Sequence, residues 1–280
     1  MYLYKSLKDI SNAQIADCLN LAFSDYALPF QLTEEQLGTH LATSGADKAL
    51  SYGAFWEDKM VGFILNSCNM YNDEKAVFDV GTGVIPQHRG NKVFTELFGF
   101  AQQELLKYGA KKYYLEVLQQ NDKAIQAYQK QGFTICREFY VLKASIENQK
   151  AMDCTVEYIG LEEFDFRKIN HCHCARPSFE HSTNILKMNL HYYAVAYRQR
   201  NQKITAFCIF SKETGHVIQL GYTDICELKI IVQWLASKFE NIIIKNIDKK
   251  DGEILQMLYS MGAIDIARQF EMVKDLRSDL

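Results

Sequence analysis

The sequence predicts an α/β (α+β) chain of two related domains. Three observations lead there: length, an alternation of strand-like and helix-like segments, and an internal repeat. The 280 residues exceed one ordinary domain and suit two, and 48% apolar residues supply enough material for two cores. After a helix-ending Gly132 the chain reads Arg137-x-Phe139-x-apolar-apolar-Lys143, and after Gly262 it reads Arg268-x-Phe270-x-apolar-apolar-Lys274. A helix-like segment precedes each, and a β-rich run (residues 112–117 and 241–245) precedes each helix. The halves also open alike, with Leu7-Lys8-Asp9-Ile10 and Leu161-Glu162-Glu163-Phe164. A unit reused at this length indicates duplication, not a short-period solenoid. The polar stretch 145–150 reads as the linker, which gives domains 1–146 and 147–280.

The elements of the first half follow in order. A strand covers residues 2–5. Asn12 caps a helix ending near Phe23, whose face carries Ile15, Cys18, Leu19 and Ala22. A second helix spans residues 34–43. Strands follow at 50–56, 60–67 and 75–85, with a hairpin turn near Lys59. A long helix covers 91–108 and stops at Gly109; Val93, Leu97, Phe98, Ala101 and Leu105 form its apolar stripe. Then come a strand at 112–118, a helix at 122–131 stopped by Gly132, and two strands at 133–137 and 139–143.

Composition excludes several classes. A net charge of -3 and 23% charged residues give no basic excess for nucleic acid or an anionic membrane surface. The opening residues lack the apolar stretch of a signal peptide, and the longest apolar runs are too short to span a bilayer. The expectation is a cytoplasmic protein with eight reduced cysteines.

Chemistry concentrates between Val84 and Phe133. The run Gly81-Thr82-Gly83-Val84-Ile85-Pro86-Gln87-His88-Arg89-Gly90-Asn91-Lys92-Val93-Phe94 takes a strand through a short turn into a helix. The first helical turn has backbone N–H groups without internal partners, and the helix dipole favours an anion there. Arg89 and Lys92 add mobile positive charge. The glycines around Thr82 suit a β-bulge. Further on stand Leu115-Glu116-Val117 and Asn121-x-x-Ala124-x-x-Ala127-Tyr128-x-x-x-Gly132-Phe133.

Together these segments resemble the GNAT N-acetyltransferases. That family's first motif is Val-x-Pro-x-x-Arg-Gly-x-Gly-x-Gly/Ala, and its second is Asn-x-x-Ala-x-x-apolar-Tyr-x-x-x-Gly-Phe. This chain matches both, except that Lys92 and Phe94 replace the two small residues of the phosphate loop. The resemblance implies two domains, each a mixed, mostly antiparallel twisted sheet flanked by helices, with a splayed central strand pair. It implies acetyl-CoA as co-substrate and direct transfer of acetyl to a primary amine in a ternary complex. It assigns coenzyme binding to Val84, Arg89, Gly90, Asn91, Lys92, Val93, Phe94 and Asn121, and the acid that protonates the leaving thiolate to Tyr128. Glu116 matches the glutamate taken as base in the branch that acetylates ribosomal-protein N-termini, with Asp79 as a weaker alternative. Tyr26, Tyr71 and His88 are further residues able to contact an acceptor.

The second half keeps the frame and loses these motifs. Leu258 stands in register with Tyr128 and Asp251 with Asn121, and no Arg-Gly turn separates Tyr222 from the next helix. It is expected to be a degenerate domain without coenzyme. His171-Cys172-His173-Cys174 has poor spacing for one tetrahedral metal, so no metal is expected. The acceptor is a small-molecule or peptide amine, and the chain is a monomer or homodimer. The alternative reading is a non-catalytic acyl-CoA-binding or scaffold protein of the same fold.

Overall fold

A computed structural model describes residues 1–25, 31–144, 155–174 and 176–279. The expected linker and Tyr26 lie outside the described residues. The chain divides into two compact units whose boundaries interleave. The first holds Met1–Glu116, Lys123–Thr134 and Met272–Leu280; the second holds Val117–Asp122 and Ile135–Glu271.

The first unit is built on strands β1 (Leu3–Ser6), β2 (Tyr52–Trp56), β3 (Lys59–Tyr71), β4 (Glu74–Val84) and β5 (Lys112–Leu118, up to Glu116). They lie in that order, antiparallel up to β4, and β4 and β5 run parallel. Helix α1 (Asn12–Ala22) starts one residue earlier than expected: Ser11, not Asn12, is the cap, and it forms a reciprocal capping box with Gln14. Thr33 and Gln36 form the same box at α2 (Glu34–Thr43). Helix α3 (Val93–Lys107) buries the expected stripe of Val93, Leu97, Phe98, Ala101 and Leu105. Helix α4 (Asp122–Lys130) ends before Gly132, whose φ of +87° only glycine adopts cheaply.

Helices α1 and α3 cover opposite faces of this sheet. A Cβ at Gly83 would meet Ala22 of α1 and Phe63, whereas one at Gly62 would meet Val93 of α3 and Val84. Neighbouring strand residues point to opposite sides, so Phe63 faces α1 and Gly62 faces α3. Leu7, Ile15, Leu19, Leu37, Phe63 and Leu65 form the core under α1 and α2. On the α3 side Phe98, Tyr113 and Phe133 pack ring against ring at 5.5–5.6 Å.

The second unit repeats this plan. Its strands are β6 (Thr134–Ala144, from Ile135 on), β7 (Glu157–Gly160), β8 (His173–Cys174), β9 (Tyr193–Arg200), β10 (Lys203–Ser211), β11 (Val217–Tyr222) and β12 (Ile242–Asp248). They run in the order β6-β12-β11-β10-β9-β7, and β8 pairs β11. A short helix α5 (Thr183–Met188) precedes β9, α6 (Ile225–Lys238) joins β11 to β12, and α7 (Gly252–Ser260) follows β12. As in the first unit, the pair bridged by the long helix is parallel and the preceding strands are antiparallel. Strand β13 (Ile264–Asp275) gives its residues to Glu271 to the second unit and the rest to the first.

One element differs from its expectation. Residues 134–144 form one strand, not two. Arg137, Phe139 and Val141 are all buried with half-buried residues between them. This period of two continues through Glu138, so no break is required there.

Candidate active site

The site starts from an irregularity in β4. Opposite β3, Gly81 pairs with Leu65 and Asp79 with Asn66, so Val80 is an extra residue. This is the β-bulge that the glycines suggested. Asp79 and Thr82 are three positions apart, and on a regular strand their side chains would point to opposite faces. The extra residue brings both to the α3 face. There Thr82 Oγ1 donates to Asp79 Oδ2 at 2.7 Å, and Tyr128 Oη of α4 donates to the same oxygen at 3.0 Å.

Asp79 as a residue is half-buried, but its Oδ1 is shut off from solvent and has no hydrogen-bond partner among the described residues. Burial pushes the Asp79 carboxyl up to about 6; bonds from Thr82, Tyr128 and the Gly81 backbone oppose part of that rise. A carboxylate among Ala76, Val77, Phe78 and Val80 is a signal that the sequence itself carries.

The strands part at the same point. Among the described residues, β4 pairs β5 only from Ala76↔Lys112 to Phe78↔Tyr114. Asp79–Val84 therefore present a strand edge without a β5 partner. Tyr128 is half-buried at this opening and packs edge-on against Phe94 at 5.6 Å and Phe133 at 5.6 Å. Phe94, where the family has a small residue, thus packs against the ring of Tyr128. Glu116 lies between buried Leu115 and Val117, half-buried itself, with Oε1 shut off from solvent.

Past Val84 the chain makes a one-turn 3-10 helix (Pro86–His88) and enters α3. Gly90 has φ +78°, and Lys92 caps α3 in the left-handed region at φ 60° and ψ 11°. No side chain caps α3 among the described residues. The first-turn N–H groups of Val93 and Phe94 therefore have neither a helical nor a side-chain acceptor. Asn91 and Lys92 are exposed, and Asn91 Nδ2 reaches His88 O and Arg89 O at 3.4 Å.

Arg89 is not the mobile cation expected. Its guanidinium donates to Val84 O at 2.9 Å, Ala22 O at 2.6 Å and both oxygens of Asp25 at 2.5 and 3.0 Å. It ties the turn to the end of α1, and the ion pair holds the Asp25 carboxyl below its usual range. Nothing in the local sequence flags Asp25, which is 64 residues away.

Asn121 belongs to the second unit, where its N–H donates to Leu118 O at 2.9 Å. Tyr71 and His88 are not at the opening. Tyr71 is buried where β3 turns into β4, five positions from Asp79's partner Asn66, or roughly 16 Å along the strand. His88 Nδ1 is 2.9 Å from Tyr2 Oη and packs against Trp56. The His171-Cys172-His173 run is spread out: His171 Nε2 donates to Ile204 O at 2.8 Å, Cys172 is buried, and His173 packs on Tyr222. Among the described residues no three His, Cys, Asp or Glu side chains form a metal-binding group. No helix among them is long and apolar enough to cross a membrane.

A bulged strand leaving its parallel neighbour and running into the open end of a helix, with its frame repeated in a second unit, is a GNAT-like fold. Residues 15–133 match the acetyltransferase (GNAT) family. Among solved structures, a GCN5-related N-acetyltransferase from Sphaerobacter thermophilus is similar over 99% of this chain and 96% of its own, with a TM-score of 0.70 and 12% identity. A tandem GNAT protein from the clavulanic acid biosynthesis pathway is similar over 99% and 98%, with a TM-score of 0.66 and 8% identity. A GCN5-related N-acetyltransferase from Anabaena variabilis is similar over 99% and 73%, at 0.63 and 13%. At these identities the likeness is one of fold. No curated protein matches the sequence significantly.

Proposed function

We propose that the chain is an acetyl-CoA-dependent N-acetyltransferase with one coenzyme site, in the first unit. The observation that carries this reading is the unpaired edge Asp79–Val84 leading into the uncapped start of α3. A strand edge offers alternating N–H and C=O groups to the amides of a pantetheine arm, as it would to an added peptide. The open helix end offers N–H groups and a favourable dipole to the pyrophosphate. On this reading Val84, Gly90, Asn91, Lys92, Val93 and Phe94 hold the coenzyme. Arg89 contributes by fixing the shape of the turn.

The amine attacks the thioester carbonyl, the C–S bond breaks, and the thiolate takes a proton from Tyr128. An ordinary tyrosine remains protonated at neutral pH and can serve as that acid. The proton lost by the amine goes to a carboxylate at the opening, Glu116 on β5 or Asp79 on β4. The acceptor is a small-molecule or peptide amine, and the protein works as a monomer or homodimer in the cytoplasm.

Calorimetric titration with coenzyme A tests the reading, with one site per chain expected. Absence of binding at millimolar coenzyme would overturn it. Binding without thiol release across an amine panel would favour the non-catalytic alternative.

A further inference from the structure

The bulge puts Asp79, Thr82 and Tyr128 in one hydrogen-bonded set, and the single Tyr128 proton points at Asp79. A tyrosine has one O–H. While that proton is held by Asp79, Tyr128 cannot give it to a thiolate. Its oxygen can take up a second proton only as it releases the first to Asp79. The resting geometry is therefore that of an acceptor chain, not that of a donor.

We propose that Asp79 and Tyr128 form a dyad that carries one proton from the attacking nitrogen to the departing sulfur, with Asp79 as the positioning residue that acts through Tyr128. This rests on the acetyltransferase reading above. In the first half of the reaction the nitrogen bonds to the thioester carbon. Its N–H proton passes to the Tyr128 oxygen as Tyr128 passes its own proton to Asp79 Oδ2. In the second half the C–S bond breaks and leaves its electron pair on sulfur. Tyr128 gives its proton to the thiolate, and Asp79 returns the stored proton to Tyr128. The products are amide and thiol, and the dyad is restored without another acid or base.

Three observations support the dyad. The buried, unpartnered Oδ1 leaves Asp79 without a competing cation, so the protonated state is accessible. Its carboxyl, held near 6 by burial, is ionised and ready to accept at neutral pH, yet close enough to hold the proton briefly. Thr82 fixes the carboxylate from its own strand at 2.7 Å. The titratable groups that face Asp79 are Tyr128 from α4 and Tyr113 from β5. Burial raises Tyr113, whose hydroxyl is bonded to Asn66 of β3, so it keeps its proton across the working range.

The test compares Asp79→Asn, Tyr128→Phe and the double variant by thiol release from acetyl-CoA, using the best amine of a panel or, failing any, water as acceptor. Asparagine keeps an oxygen that can accept from both Thr82 and Tyr128, so a purely structural Asp79 would tolerate it. The expected result is a kcat lowered by about 10²-fold in each single variant, KM for acetyl-CoA within about threefold, and a double variant no slower than the slower single one, because the two act as a unit. The rate limb that rises through pH 6 should disappear in Asp79→Asn. Wild-type kcat in Asp79→Asn, or losses that multiply in the double variant, would overturn the dyad while leaving the enzyme reading intact. Failure of the wild-type chain to bind acetyl-CoA would overturn both.

Discussion

Lys92 should be replaceable by glycine with a gain in stability. Its φ of 60° places an L-residue in the left-handed region, which costs about 1–2 kcal/mol. Glycine removes that cost but adds unfolded-chain entropy worth roughly 0.5–1 kcal/mol. The lysine also sets a positive charge at the positive end of α3, where a cation is unfavourable by roughly 0.3–1 kcal/mol before screening. Lys92 is exposed, so the charge contribution falls toward the low end. The net expectation for Lys92→Gly is a gain of about 1 kcal/mol, read as a higher urea midpoint at unchanged slope. Lys92→Ala separates the two causes, since it removes the charge and retains the strain. It should recover only the salt-dependent part. If Lys92→Ala were as stable as Lys92→Gly, the backbone at this position would store no strain, and the reasoning would fail.

Two further predictions concern the second unit. Arg137 is buried and makes a two-pronged bond to buried Glu271 at 2.7 and 2.6 Å; Arg137→Met strands that carboxylate and should cost about 3–5 kcal/mol. Arg137→Met combined with Glu271→Leu should recover at least half of the loss in urea unfolding, and strictly additive losses would contradict the argument. His181 is buried, and desolvation pulls its imidazole down to about 4 from an ordinary 6.5. Between those values the unfolded chain binds a proton that the folded chain refuses, so stability falls as pH drops from about 6.5 toward 4, by up to about 3 kcal/mol. His181→Gln should flatten that slope, and an unchanged slope would refute the assignment.

What the sequence revealed and what it hid divides by range. Helices α1 to α3 were legible because their signals are local. Apolar stripes and cap residues lie within a turn or two of what they control, so the cap of α1 was misassigned by only one residue and the start of α3 by two. The parted strands were implied by resemblance. The bulge was legible as a pair of glycines, but its consequence was not: whether Asp79 and Thr82 share a face depends on the register against β3. Arg89 read as a free cation because Asp25 and Ala22 are far away in sequence. The interleaved units were hidden for the same reason. Residues 117–122 precede α4, yet they group with the second half, and only long-range pairing can show it.

The two units also explain each other. They share a frame, and the difference in coenzyme binding proposed above follows from how each frame is finished. In the first unit the edge past Phe78↔Tyr114 stays unpaired by β5, and α3 begins without a side-chain cap. In the second unit β11 and β12 part even sooner, with Val217↔Ile244 the one aligned pair among the described residues. A wider gap would by itself favour a ligand. There, however, the chain supplies its own occupant: β8 pairs with Gly221 and Tyr222 of β11 and takes up the edge groups that an arm would need. The helix that follows is finished differently too, since the Asp224 side chain accepts from Cys226 N at 2.9 Å and fills the anion position of α6 with a fixed carboxylate. A pyrophosphate would have to displace that bond and face its charge, which opposes binding through both lost hydrogen bonding and repulsion. The loss of the Arg-Gly turn, visible in the sequence, is thus accompanied by two replacements that satisfy the same backbone groups from within. Restoring the motif residues alone would leave β8 and Asp224 in place, and the second unit would remain closed to coenzyme.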